Sequence, residues 1–205
     1  MFSSARKIVL LGFIINFMSL ANSSTPLNKM KTKFSFDHYM DVNGNGKLAF
    51  DDLETFVNVF TQKKHWPLNG KQHAEALEQM KKVMQGMLEQ SGATDVGYIT
   101  EEQWMELWDE YAKNPDQVHE WQRLLEDFIF KSFDINGDGV IDLYEFTDLY
   151  SGLGENNKTM ARIAFTKLTN GKNSLNKEEF SKLWKEYYTS NDPNGPSIFF
   201  GGITS

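Results

Sequence analysis

Apolar residues recur along most of this chain at intervals of three and four, the period of a helix with one buried face. Leu53, Phe56, Val57 and Phe60 form one stripe. Leu77, Met80, Val83, Met84, Met87 and Leu88 form a second, and Trp121, Leu124, Leu125, Phe128 and Ile129 a third. Trp104, Leu107, Trp108 and Tyr111 are spaced i, i+3, i+4 and i+7, and Phe180, Leu183, Trp184 and Tyr187 repeat that spacing 76 residues later. Residues near 28–40, with Phe36, Tyr39 and Met40 apolar, read as a further helix. Pro67 and Gly70 break the pattern in 63–70, KNPD breaks it at 113–116, and the last helix stops near Tyr188. Between the helices lie polar, Gly- and Asn-rich stretches in which single apolar residues stand at equivalent places: Leu48, Ile99, Ile141 and Leu175. The pattern predicts an all-α protein of four helix–loop–helix units that bury their apolar faces in pairs, 22–112 and 117–190. A tail over 191–205 carries Ile198, Phe199 and Phe200, which would be wasted in water and are expected to fold back onto a lobe.

The third loop, DINGDGVIDLYE at 134–145, carries oxygen-bearing side chains at positions 1, 3, 5, 9 and 12: Asp134, Asn136, Asp138, Asp142 and Glu145. So many carboxylates repel one another unless a cation sits among them. Hard divalent cations take oxygen ligands, and a twelve-residue calcium loop supplies them from positions 1, 3, 5, 7, 9 and 12. Val140 at position 7 would contribute its backbone carbonyl, Gly139 at position 6 the sharp turn, and Glu145 both carboxylate oxygens. The first loop, DVNGNGKLAFDD at 41–52, has Asp41, Asn43 and Asn45 at positions 1, 3 and 5, the Lys47 carbonyl at 7, and Asp52 at 12. Ala49 at position 9 leaves that place to water. It brings two carboxylates against four, and the shorter Asp52 favours one-oxygen contact, so binding should be weaker there and magnesium should compete. The second loop (92–103) has Gly92 at 1, Val96 at 5 and Gln103 at 12, and the fourth (168–179) has Leu168 at 1, Lys172 at 5 and Asn173 at 6. Neither should hold calcium tightly. Two calcium ions per chain are expected.

Composition removes other classes. The 205 residues contain no cysteine, which excludes disulfides, thiol nucleophiles and zinc thiolate sites, and the formal charge of −7 argues against nucleic acid. His38, His65, His73 and His119 show no paired spacing, and there is no Ser–His–Asp or phosphate-loop pattern, so no enzyme is expected. At the N-terminus, Arg6 and Lys7 precede an apolar run from Ile8 to Leu20, followed by small residues, with cleavage expected near Ala21. Residues 1–21 therefore read as a signal peptide, which implies a secreted or endoplasmic-reticulum protein; a cytoplasmic location follows if the segment does not work as a signal. Asn22 and Asn157 would be glycosylation acceptors after export.

The loops, together with HWPLNGKQHAEA in the first linker, ELWDEY after the second loop and LWKEYYTSND before a Gly- and Phe-containing tail, resemble the invertebrate four-EF-hand proteins, calexcitin and the sarcoplasmic calcium-binding proteins. The resemblance spans roughly residues 28–200. It implies a helical fold with two small strand pairs and a calcium buffer or sensor with ligands Asp41, Asn43, Asn45, Lys47, Asp52, Asp134, Asn136, Asp138, Val140, Asp142 and Glu145; a monomer is expected. The sequence also admits two other readings. A cytosolic sensor would open a Met-lined groove at Met80, Met84 and Met87 to a protein target, and a small-ligand carrier of the photoprotein or luciferin-binding type would use the five tryptophans. For both sets of residues, core packing is the simpler role.

Overall fold

The computed structural model describes residues 26–148 and 155–197. Residues 1–21 and the Ile198, Phe199 and Phe200 of the tail lie outside this range, as does Asn22; the side chain of Asn157 is likewise not described. Eight α-helices are present among the described residues: α1 (Leu27–Ser35), α2 (Phe50–Lys63), α3 (Lys71–Ser91), α4 (Glu101–Lys113), α5 (Glu120–Phe133), α6 (Leu143–Asp148), α7 (Glu155–Leu168) and α8 (Lys177–Thr189). None of them is long and apolar enough to cross a membrane. After α1 the chain widens into a π-helical turn, Phe36–Met40, that sets Phe36 and Met40 into the core before the first loop. Periodicity gave no sign of that turn.

The strands are three residues each: β1 (Lys47–Ala49), β2 (Tyr98–Thr100), β3 (Val140–Asp142) and β4 (Ser174–Asn176). β1 pairs antiparallel with β2, with Leu48 opposite Ile99, and β3 with β4, with Ile141 opposite Leu175. These four residues are all buried, because in a strand the middle side chain faces one side only and here that side is the core. Each strand pair joins two loops back to back.

The two halves of the chain share one core. α3 packs along α5 more extensively than any other helix pair. Gly86 permits that approach: a Cβ there would stand 2.7 Å from the Trp121 Cβ. The Met80, Met84 and Met87 stripe faces inward and is buried. Trp108 of α4 lies at the centre of an aromatic cluster. It stacks on Tyr188 at 3.5 Å between centroids and meets Trp104, Trp121 and Trp184 edge-on. Aromatic pairs add roughly 0.5–1.5 kcal/mol each beyond area burial. α1 closes against α8 and α4: Tyr187 Oη donates to the Lys31 carbonyl at 2.8 Å, and Trp104 Nε1 to the Thr32 carbonyl at 3.1 Å. Lys31 is itself buried beside α8, donating to the Glu186 carbonyl. Burial pulls its ammonium down to about 8, against the pull of Glu186 and Asp192.

Candidate metal centres

In each loop the exit helix starts from an N-cap at position 9, and the side chain at position 12 sits three residues on, where a capping box places it. That side chain accepts from the position-9 N–H in all four loops: Asp52 from Ala49 at 3.0 Å, Gln103 from Thr100 at 3.0 Å, Glu145 from Asp142 at 3.0 Å, and Glu179 from Asn176 at 3.1 Å. Position 12 therefore has a helix-capping role that needs no cation, which accounts for Gln103 and Glu179 in loops whose position 1 is Gly92 or Leu168; the fourth loop also keeps Asn170 and Asn176 at positions 3 and 9.

The loops part company at the second oxygen of position 12. Glu145 Oε1 accepts from the Asn136 N–H at 2.9 Å, and Asp52 Oδ1 from Asn43, through N–H at 3.3 Å and Nδ2 at 2.8 Å. In both loops, position 12 is thus tied to position 3 as well as 9. Gln103 has an amide nitrogen in place of the second oxygen. Glu179 Oε1 instead takes the ammonium of Lys172, from position 5 of its own loop.

The first positions agree in the same way. Asp134 accepts from Gly137 N at 2.7 Å and Gly139 N at 3.1 Å. Asp41 accepts from Asn45 N at 3.0 Å and Gly46 N at 2.7 Å. These turns need positive φ at position 6, +77° at Gly46 and +88° at Gly139, which glycine adopts at little steric cost. At position 5, Asn45 and Asp138 accept from the position-7 N–H groups of Lys47 and Val140, at 2.9 and 3.0 Å. Asn136 Oδ1 accepts from Asp138 N at 2.7 Å. Positions 1 and 12 are buried (Asp41 8%, Asp52 1%, Asp134 6%, Glu145 2% exposed), whereas Asn45 and Asp138 at position 5 lie exposed at the loop rim. Burial pushes the Asp52 carboxyl above its usual range, against hydrogen bonds from Ala49 and Asn43 that favour the anion. Asp142 Oδ1 accepts from Glu145 N at 2.8 Å, completing the reciprocal box.

The structure therefore brings together Asp134, Asn136, Asp138, Val140, Asp142 and Glu145 in one loop, and Asp41, Asn43, Asn45, Lys47 and Asp52 in another. Among the described residues, no three acidic or histidine side chains converge on a single point. Backbone N–H donors hold the carboxylates, each of which has lone pairs beyond those its N–H bonds use. An all-oxygen donor set with a two-oxygen residue at position 12 fits a hard divalent cation. Two of the four histidines have side-chain partners away from the loops: His38 Nδ1 lies 3.0 Å from the Phe34 carbonyl and His73 Nε2 2.7 Å from Asn58 Oδ1.

Comparison with known proteins agrees with this geometry. The EF hand family model matches residues 125–150, the third loop with its flanking helices. The class is thus that of an EF-hand protein. Sarcoplasmic calcium-binding proteins I, III and IV of Branchiostoma lanceolatum are 26% identical over 129 residues, covering 58% of this chain and 65% of theirs, just under two thirds of their length. The solved sarcoplasmic calcium-binding protein from amphioxus superposes with a TM-score of 0.75 at 18% identity, covering 88% of this chain and 99% of that one. The magnesium-loaded ctenophore apo-berovin, described as binding magnesium in all three of its calcium-binding loops, superposes at 0.51 and 18% identity, covering 84% of this chain and 93% of its own. The chain is a distant homologue of the sarcoplasmic calcium-binding proteins.

Proposed function

We propose that this protein binds two calcium ions, one at 134–145 and a weaker one at 41–52 where magnesium competes, and that it acts as a non-enzymatic calcium buffer stabilised by the ion. The observation that carries this reading is the double closure of position 12. Only in these two loops does a carboxylate at position 12 accept from both position 3 and position 9, which holds it in place against the rest of its loop. Asp134, Asp138, Asp142 and Glu145 give the third loop twice the formal charge of Asp41 and Asp52, which ranks the sites. The name of the sarcoplasmic relatives and the magnesium-loaded berovin loops support the ion assignments.

On the buffer reading, Met80, Met84, Met87 and the aromatic cluster between the halves stay buried when calcium binds. A sensor would have to expose such surface on binding. The N-terminal residues 1–21 support placement in a secreted or lumenal space, where calcium is abundant. The test has two arms. Calcium should raise thermal stability while binding of a hydrophobic dye stays flat or falls; strong calcium-dependent dye binding would establish a sensor instead. N-terminal sequencing of the natural protein should start near Asn22, and an intact Met1 would overturn export.

A further inference from the structure

α2 runs from one candidate metal loop to the other. Its first turn holds Asp52, position 12 of the first loop, and its last residue is Lys63. The KKHWP stretch that follows closes the helix with a Schellman turn. Trp66 N donates to the Thr61 carbonyl at 3.0 Å, His65 N to the Gln62 carbonyl at 3.0 Å, and His65 takes the left-handed conformation at φ +54°. Trp66 packs edge-on against Phe60, which locks the turn. Lys63 and Lys64 are thereby fixed in direction, and both point at the third hand. Lys63 Nζ pairs with Asp148 Oδ2 at 2.8 Å and also reaches the Asp148 carbonyl, at the end of α6. Lys64 Nζ donates to the backbone carbonyl of Asp134, position 1 of the third loop, with its ammonium 5.7 Å from the ring centroids of both Phe60 and Trp66.

Lys64 thus brings a positive charge from the first hand to the edge of the most acidic loop in the molecule. It takes the main-chain oxygen of Asp134 and leaves the carboxylate to Gly137 and Gly139. A fixed cation there has two consequences of the same sign. It offsets the repulsion among Asp134, Asp138, Asp142 and Glu145 in the metal-free chain. It also repels an incoming cation, in a half-buried place where solvent screens less than at an open surface.

We infer that Lys64 is an affinity-setting residue: an internal counter-cation that stabilises the metal-free third loop and lowers its affinity for calcium. The inference rests on the calcium reading of that loop proposed above. Removing the charge should separate two quantities that a damaged fold would lower together. The metal-free chain should lose stability while calcium affinity rises.

The test is calorimetric titration of the full chain with calcium, alongside thermal unfolding in chelator, for the wild type, Lys64→Met and Lys64→Arg. The 134–145 step is identified as the one that Glu145→Gln removes. Lys64→Met should tighten that step on the order of tenfold and lower the metal-free melting temperature, while Lys64→Arg should restore both values towards wild type. Lys64→Gln, which keeps a donor without the charge, serves if the Met variant does not fold, and should tighten binding in the same direction. Unchanged affinity in the neutral variants, or affinity and metal-free stability falling together, overturns the inference while leaving calcium binding intact. Absence of any calcium heat in the wild type would instead overturn the binding assignment itself.

Discussion

The third and fourth loops face each other across β3 and β4, with the same capping contact and the same buried apolar residue at position 8, yet they handle charge in opposite ways. The third loop gathers four carboxylates and ties Glu145 to both Asn136 and Asp142. The fourth has Leu168, 5% exposed, where the third has Asp134, and Lys172 where the third has Asp138. The Lys172 ammonium sits on Glu179. On the proposed reading one loop takes its cation from solution, whereas the other carries its own in Lys172. The difference teaches that the loop backbone and its strand pair survive replacement of the acidic residues at positions 1 and 5, because the position-12 residue still caps a helix and the position-8 residue still fills the core. Lys64, if it acts as inferred, places the third loop between these extremes: a chain-borne cation stands near it without filling it.

The sharpest way to break this contrast is to make the same change on both sides. Glu145→Gln should weaken calcium binding at 134–145 on the order of a hundredfold or more, ~2.8 kcal/mol. Glu179→Gln, the same change at the same position next door, should leave the calcium isotherm unaltered; it keeps the capping contact, as Gln103 does, and loses only the charge pair with Lys172. A next, smaller effect follows from removing the ion. With calcium at a hundred times the dissociation constant, each filled site contributes about 2.7 kcal/mol, so chelator should lower the unfolding midpoint markedly in wild type and much less in Glu145→Gln. Asp52→Glu sharpens a second comparison, between the first and third loops. The added methylene gives the reach for two-oxygen contact, and calcium should gain over magnesium at 41–52 on the order of tenfold, read by competitive titration. The smallest effect is expected at Lys172→Met. That side chain is 64% exposed, so losing its ion pair should cost at most ~1 kcal/mol in denaturant unfolding and should not create a calcium site, because Leu168 still occupies position 1.

Much of this was readable from the sequence, for reasons specific to certain residues. Ligand spacing is a local property, so Asp134 to Glu145 and Asp41 to Asp52 could be singled out without a fold. The match of Ile99 to Leu48 and of Leu175 to Ile141 came from counting along the repeat, and the structure places those residues directly opposite one another. The stripe through Met80, Met84 and Met87 gave a buried helix face at the right place. Long-range polar contacts were not readable. Lys64 meets a residue 70 positions away because a Schellman turn aims it, and nothing in KKHWP alone says where the ammonium ends. The approach of α3 to α5 was hidden because Gly86 signals only that a side chain is missing, not that Trp121 fills the space. The capping role of Gln103 is legible in the Thr100–Gln103 spacing, a capping-box signature that ligand positions alone do not bring out.

The central claim is that two loops, and two only, carry a working cation site. Native mass spectrometry of the purified chain, titrated with calcium from chelator-treated protein, counts the ions directly. The account predicts a shift through one to two bound calcium ions and no further specific uptake, with the first ion lost in Glu145→Gln. A third or fourth ion bound at similar concentration, or a Glu145→Gln chain that loses only the weaker of the two, would contradict it.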